Sequence, residues 1–477
     1  MNRVFDINDL QEWDERIFEK AQSFGIDCYP QQFEICDHNQ MLSNLAYSGI
    51  PSHYPHWSYG KSYEKQKTLY DYGVSGLPYE MVINSNPCLA YLMRDNSPLL
   101  QILTIAHVYA HNDFFKNNYI FQSTRAEYTV DTFKAHSDRV RDYIEDPSIS
   151  SERVEAVLDS CHAISFQCRR NLAIRKRTYA EERAALMEAS LPRNDPFYRL
   201  HRRPEFTPPD LNKVPPVPDE DLLLFIRDHN PELTGWEKDV LTIVHEEAQY
   251  FIPQIETKIM NEGWATYWHK RILDSLNLPE DLHMEFIIRH NQVVRPLQNA
   301  LNPYHVGLAL WREIFARSNG IDPEPAGLPD HESERGNTDR LFEVRESDRD
   351  SSFLRRHLTE SLAGELHLFE YEIRDDRKVV RNVADDEGWI HVKEALLRNV
   401  GMNAIPVIKV EDADFGHNHT LYLIHIHDGR DLELENAEKT LSHVSRLWHG
   451  EVVLETMLDE KKYLLGLKHG QLSTEAL

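Results

Sequence analysis

Apolar residues recur at helical spacing through most of the first 350 positions, and short β-branched runs appear after that. Leu10, Trp13, Ile17, Ala21 and Phe24 fall three or four apart and predict a surface helix over 7–24, ended by Gly25. Tyr79, Met81 and Ile83 alternate with Glu80 and Val82, which predicts a strand in "LPYEMVINSNP". The next segment, "SPLLQILTIAHVYAHNDFF", is apolar on every side and opens with Ser97-Pro98, a cap residue and a first-turn proline. It predicts a buried helix. "TRAEYTVDTFKAHSDRVRDYIED" and "SERVEAVLDSCHAISFQCRR" continue as helices, the second with Val154, Val157, Leu158, Cys161 and Cys168 as its inward stripe. "VLTIVHEEAQYFIPQIETKIMNEGWATYWHKRILDSL" is the longest apolar-periodic stretch, and Pro253 should kink or split it.

Two stretches break the pattern. Residues 192–218 hold eight of the 24 prolines, which excludes helix and central strand and predicts an extended arm. Residues 318–350 are polar and turn-rich. Beyond them two helical segments lead into "IPVIKVED", "TLYLIHIHD", "EVVLETML" and "KKYLLGLK", interrupted by the helix "ENAEKTLSHVSRLW". That order predicts a mostly antiparallel sheet with a helix. The expected organisation is α+β. A first helical core segment spans 1–190, a proline-rich arm 191–220, a second helical core segment 221–350, and a C-terminal α+β module 351–477.

At 477 residues the chain is long enough to bury its core without staples. The balance of 52 basic and 78 acidic residues leaves a formal charge of −26, which argues against nucleic acid and bare anionic membrane as partners. Five cysteines without a CxxC pair suit a reducing compartment, and no apolar run reaches the length of a membrane helix. The amphipathic start lacks the pattern of a signal peptide, so a cytoplasmic protein is expected. No P-loop, GxGxxG or GxSxG occurs.

The 25 histidines carry the candidate chemistry. His107 and His111 stand four apart, on one face of the buried helix, where two imidazoles can meet one metal ion. Paired core histidines are the plainer alternative. Asp113 could orient a ligand or act as a base. In "IMNEGWATYWH", Glu262 lies among bulky apolar residues with Gly263 beside it, and His269 lies two turns on. A carboxylate there must be paired with a cation or bound to metal. Together His107, His111 and Glu262 form a His₂Glu donor set, the kind a catalytic zinc site uses. Peptidases of that type carry HExxH on one helix and a glutamate in an "NEG(F/W)A"-like stretch on a later one, after a strand. Here the resemblance is local, the ligand spacing is longer, and Val108 occupies the place of the glutamate that activates water.

Asp159-x-x-His162 beside Cys161 is half of a di-iron helical motif, with Glu246-x-x-Gln249 only a degraded second copy. His162 is more simply a fourth ligand or a support for one. In "VHEEAQ", after His245, Glu246 or Glu247 could be the missing base, or belong to a solvated acidic face. His53, His56, Trp57 and Tyr59 could form a substrate wall or a folded-over loop. His419, His425 and His427 would share one face of a strand, best read as a solvated edge.

The strings "HYPHWSYGKSYE", "YEMVINSNPCLAYLM", "AHVYAHNDFFKNN", "LDSCHA", "EEAQYFIPQIETKIMNEGWATYWH", "LNPYHVGLALWREI" and "AEKTLSHVSRLW" run in order through the chain. In them the sequence resembles the SpoVR family, the stage V sporulation protein R-like proteins. The resemblance implies a cytoplasmic bacterial protein, linked in spore formers to assembly of the spore cortex and present also in bacteria that form no spores. It brings no settled catalytic residues.

Two functions are expected from these readings. One is a metal-dependent enzyme, a hydrolase with zincin-like site helices. It would hold zinc through His107, His111, Glu262 and His162, with Asp113, Glu246 and His269 as catalytic candidates. The other is a non-catalytic regulator or scaffold in sporulation or stress response, binding a protein partner through the C-terminal module.

Overall fold

The structure is a computed structural model describing residues 7–72, 78–170, 175–190, 213–297, 300–321, 336–374, 377–383, 385, 388–468 and 471–477. Most of the proline-rich arm (191–212) and the middle of the polar loop (322–335) lie outside the described residues. The fold is α+β, and the chain divides into two compact units, each built from two segments. One comprises Met1–Arg139 and Tyr250–Ala404, the other Val140–Gln249 and Ile405–Leu477.

The first unit begins with α1 (Ile7–Ser23), β1 (Gln31–Cys36), α2 (His38–Ala46), α3 (Trp57–Asp71), β2 (Glu80–Ile83), β3 (Cys88–Met93) and α4 (Pro98–Asn117). The chain leaves this unit within α5 (Thr129–Glu145), then forms α6 (Ser151–Ala163), α7 (Tyr179–Ser190) and α8 (Leu222–His229), and returns within α9 (Gly235–Glu256). Back in the first unit follow α10 (Lys258–Ser275), α11 (Glu280–Val293), α12 (Pro303–Ser318), α13 (Asp339–Ser347), α14 (Asp350–His357), α15 (Glu360–Glu365), the antiparallel hairpin β4 (Phe369–Arg374) and β5 (Arg377–Val383), and α16 (Trp389–Asn399).

Helix α4 is the centre of the first unit. Every residue from Leu99 to Phe115 is buried, polar ones included, as a helix with apolar residues on every face requires. Ser97 accepts a hydrogen bond from the Leu100 amide at its start, and Pro98 fills the position whose N–H would go unused. α4 packs against α1, α10 and α11, and a three-stranded sheet of order β1-β3-β2 lies against it. β3 pairs parallel with β1 and antiparallel with β2. The predicted strand is β2, an edge strand. β3, unforeseen, separates it from the first histidine helix because the "NSNP" turn reverses the chain.

α10 is nearly as buried, between α4 and α12. The break foreseen at Pro253 comes four residues later. The helix continues through the proline to Glu256 and restarts at Lys258, and Thr257 Oγ1 donates to the Pro253 carbonyl at 2.7 Å. Asp350 then accepts from the amides of Ile259 and Met260, each at 2.9 Å, supplying orphan donors of the new helix with side-chain acceptors, while burial pushes its carboxyl up to about 8. A Cβ on Gly263 would stand 2.4 Å from the Gly307 backbone of α12, so these two glycines let the helices approach backbone to backbone.

The second unit carries a five-stranded sheet, order β10-β9-β8-β7-β6: β6 (Ile408–Phe415), β7 (Thr420–His425), β8 (Val452–Leu458), β9 (Lys461–Lys468) and β10 (Gln471–Ala476). All its pairs are antiparallel except β7–β8, which the crossover helix α17 (Leu434–Trp448) joins. The predicted strands correspond to β6–β9. α17 packs on α6, where His443 Nδ1 lies 3.1 Å from Ser160 Oγ, and the buried Asn230 amide donates to the carbonyls of Leu447 and Trp448. The cysteines are free thiols. No helix among the described residues is long and apolar enough to cross a membrane.

Candidate metal centre

His107 and His111 project from the same side of α4, their rings 4.6 Å apart and nearly perpendicular. Across from them, one residue before the helix contact at Gly263, α10 presents Glu262. Its Oε2 lies 3.5 Å from His111 Nε2 and 3.9 Å from His107 Nε2. Among the described residues, these three form a group whose candidate ligand atoms all lie within 4.8 Å of one another. Glu262 Oε2 is itself buried and has no hydrogen-bond donor.

The far nitrogens of both rings are held. His111 Nδ1 lies 2.8 Å from Asn261 Oδ1; an amide oxygen can only accept, so the ring's proton sits on Nδ1 and Nε2 presents a bare lone pair. His107 Nδ1 shares a 2.9 Å hydrogen bond with His269 Nδ1, and His269 Nε2 shares another of 2.9 Å with His290 Nδ1 on α11. Burial, reinforced by His107, lowers the His111 pKa to about 4, and burial with the neighbouring imidazoles holds His269 well below its ordinary value. The His111 and His269 rings are therefore neutral at pH 7.

Two more groups complete the wall. Glu80 on β2 brings Oε1 to 3.9 Å from His107 Nε2. Burial pushes its carboxyl up, His107 opposes, and Glu262 adds to the rise. Tyr304, in the first turn of α12, hydrogen-bonds Glu262, and its phenol is pushed up by burial and then by Glu262 and Glu80, so it stays a donor. At Glu262 burial also disfavours charge, yet a hydrogen bond with His107, the charge His111 and His107 carry when protonated, and Lys258 together hold the carboxyl below its usual range. The group opens into a cleft of about 930 Å³, whose lining includes Tyr79, Leu103, Lys258, Arg295 and Leu301.

The remaining sequence candidates have other surroundings. Asp113 is fully buried on a different face of α4. Its oxygens accept from the Arg345 guanidinium (2.8 Å), the Trp264 indole (2.9 Å) and the Asp27 amide (2.8 Å), so its lone pairs serve the packing of the helix. His269 lines the cleft, but it is buried with both ring nitrogens engaged by other histidines, which makes it a support for the His107 ring. His162 on α6 and Glu246 on α9 belong to the second unit, and neither joins the histidine–glutamate group; Glu246 is exposed. His245 bonds Asp221 at 2.9 Å. His56 caps α3 instead of lining a wall, and His53 pairs with the Tyr59 hydroxyl at 3.1 Å.

The C-terminal histidines do not share a strand face. His419 precedes β7 at a φ of +62° and stacks on Trp448. His425 is buried against Thr456, and His427 bonds Asp431 past the strand end.

Sequence reading missed Glu80, His290, Tyr304 and Asn261. Glu80 did carry a signal: it interrupts an apolar strand on the side opposite Tyr79, Met81 and Ile83.

Comparison with known proteins agrees along the chain. Residues 5–405 match the family described as SpoVR like protein, and residues 406–459 match the SpoVR-like C-terminal domain. The uncharacterized protein YcgB of Escherichia coli (strain K12) is 32% identical over 485 residues, covering 95% of this chain and 92% of that protein. No solved structure matches significantly.

Proposed function

We propose that this chain, which belongs to the SpoVR family, is a metal-dependent enzyme of the hydrolase class, with a divalent ion held by His107, His111 and Glu262. The observation that carries the reading is the orphaned, buried Oε2 of Glu262, faced by the Nε2 atoms of two buried histidines at the wall of a cleft. An unpaired buried carboxylate oxygen is costly, and a cation is the partner that removes the cost. Zinc ligands about 2.0–2.2 Å from a tetrahedral ion stand about 3.4 Å apart, close to the separations that Glu262 keeps from the two rings. Two nitrogens and a carboxylate suit zinc, and Glu80 and Glu262 together match the charge of a divalent ion.

Such an ion supplies Lewis acidity toward a carbonyl or related oxygen. The residues do the rest. Asn261 and His269 fix the ring orientations: were His107 to hold the ion through Nε2, its Nδ1–H would donate to His269, and the His269 Nε2–H to His290. Glu80 offers, from the strand, the carboxylate that Val108 withholds on the helix. Tyr304, protonated and beside Glu262, is a donor for an oxygen that gains charge.

Metal analysis of the purified full chain tests the reading. The expected result is about one zinc per chain, lost in His111→Ala and in Glu262→Gln. Sub-stoichiometric metal that is unchanged in those variants overturns it and leaves the non-catalytic regulator in its place.

A further inference from the structure

Four of the residues lining the cleft, histidines aside, carry formal charge: Glu80, Glu262, Lys258 and Arg295. The two carboxylates face the histidines. That leaves two cations in a protein whose acidic residues outnumber its basic ones by 78 to 52. Lys258 lies one helical turn before Glu262 on α10, near enough to help hold its carboxyl down, yet it makes no ion pair within 4.0 Å among the described residues. Arg295 also has no carboxylate partner among the described residues.

The position of Arg295 is built rather than incidental. Asn302 donates from its amide to the carbonyls of Val293 (2.9 Å) and Arg295 (2.8 Å), and its Oδ1 accepts from the Tyr304 amide at 3.0 Å. One side chain thus ties the turn carrying Arg295 to the helix carrying Tyr304. The same lining also includes the apolar side chains of Leu103, Val293, Leu301 and Pro303.

We infer that the cleft selects substrates with an anionic oxygen terminus, a carboxylate or a phosphoryl group, carried on an apolar body and bound by Lys258 and Arg295 while the reacting group meets the metal centre. The inference rests on the metal reading above. Charge-assisted hydrogen bonds to oxyanions are among the stronger polar contacts, and an arginine and a lysine lining one cleft suit either terminus.

The test uses the full chain loaded with Co²⁺ and follows the cobalt absorption bands while hydroxamates are added. Adipic monohydroxamic acid is compared with hexanohydroxamic acid, the same six-carbon chain with a methyl end, and with a hydroxamate of equal length ending in a phosphonate. An anionic end is expected to tighten binding about tenfold or more over the methyl end at low salt. The larger of the two gains identifies the carboxylate or the phosphoryl source. In the double variant Lys258→Gln/Arg295→Gln the cobalt bands should persist and the preference vanish. Lys258→Arg/Arg295→Lys, with charge kept, should restore most of it. Equal affinities for all three probes with the cobalt bands intact, or a preference that survives the double variant, overturns the anion inference alone. Absence of any cobalt band overturns the metal reading and this inference with it.

Discussion

Glu80 shows how one side chain alters the chemistry expected of a motif. Judged by α4 alone, the site lacks a carboxylate beside its histidines, because position 108 is a buried valine. The edge strand restores one, 3.9 Å from His107 Nε2. A carboxylate there adds attraction for a divalent cation without being needed to complete the His₂Glu set. Glu80→Gln, which keeps shape and removes charge, should lower metal affinity about 10- to 100-fold while the saturated stoichiometry stays at one. Chelator competition measures it, and unchanged affinity would remove Glu80 from the site. Asp113 is the contrary lesson. Two positions from His111 it looks like chemistry, but two residues along a helix is a different face, where Arg345 and Trp264 take its oxygens.

At the level of elements, the centre exists because α10 lies very close to α12 and presents Glu262 toward α4. The close approach depends on Gly263 and Gly307. A Cβ on Gly307 would meet the Ile259 carbonyl at 2.2 Å, which no rotamer change relieves. Gly263→Ala should therefore force the helices apart, destabilise the protein by about 1–3 kcal/mol and weaken metal binding, although no ligand has changed. Gly60→Ala on α3 meets nothing within 4 Å and serves as the neutral control. Thermal unfolding with metal titration decides the matter; equal affinity in Gly263→Ala and wild type would show that the contact does not set the position of Glu262.

For the whole molecule, the change from helical to β-branched texture after residue 350 does not mark the division between units. The second unit takes most of its helices from 140–249 and its sheet, with α17, from 405–477. α6 packs on α17, Asn230 bonds the end of α17, and Asp219 bridges Val410 of β6. The C-terminal family match, starting at 406, is thus one half of a unit. A chain ended at Ala404 should keep the metal, since its ligands all lie in the first unit, yet expose the apolar face of α6 and the unpaired Asn230. Limited proteolysis read by mass spectrometry should then cut within 140–249 at far lower protease levels than in the full chain. Equal protection would mean that these helices stand without the sheet.

Local pattern was enough for α1, α4, α5, α17 and strands β6–β9, because amphipathic periodicity, caps and β-branched runs act over a few residues. His107 and His111 were legible as a pair for the same reason: four residues apart on a helix is a local geometry. Glu262 was legible as an anomaly, a carboxylate in an apolar run that needed a partner. The identity of that partner was not local. Glu80, Glu262 and the two histidines are spread over positions 80 to 262 of the sequence, and only the packing of β2, α4, α10 and α12 brings them together. The same packing divides the histidines into a few that converge and many that cap helices, pair with aromatics or satisfy neighbouring acids. Periodicity tells which face of an element is buried; which buried faces meet is decided by tertiary contacts such as the Gly263–Gly307 approach, whose energy comes from both partners at once.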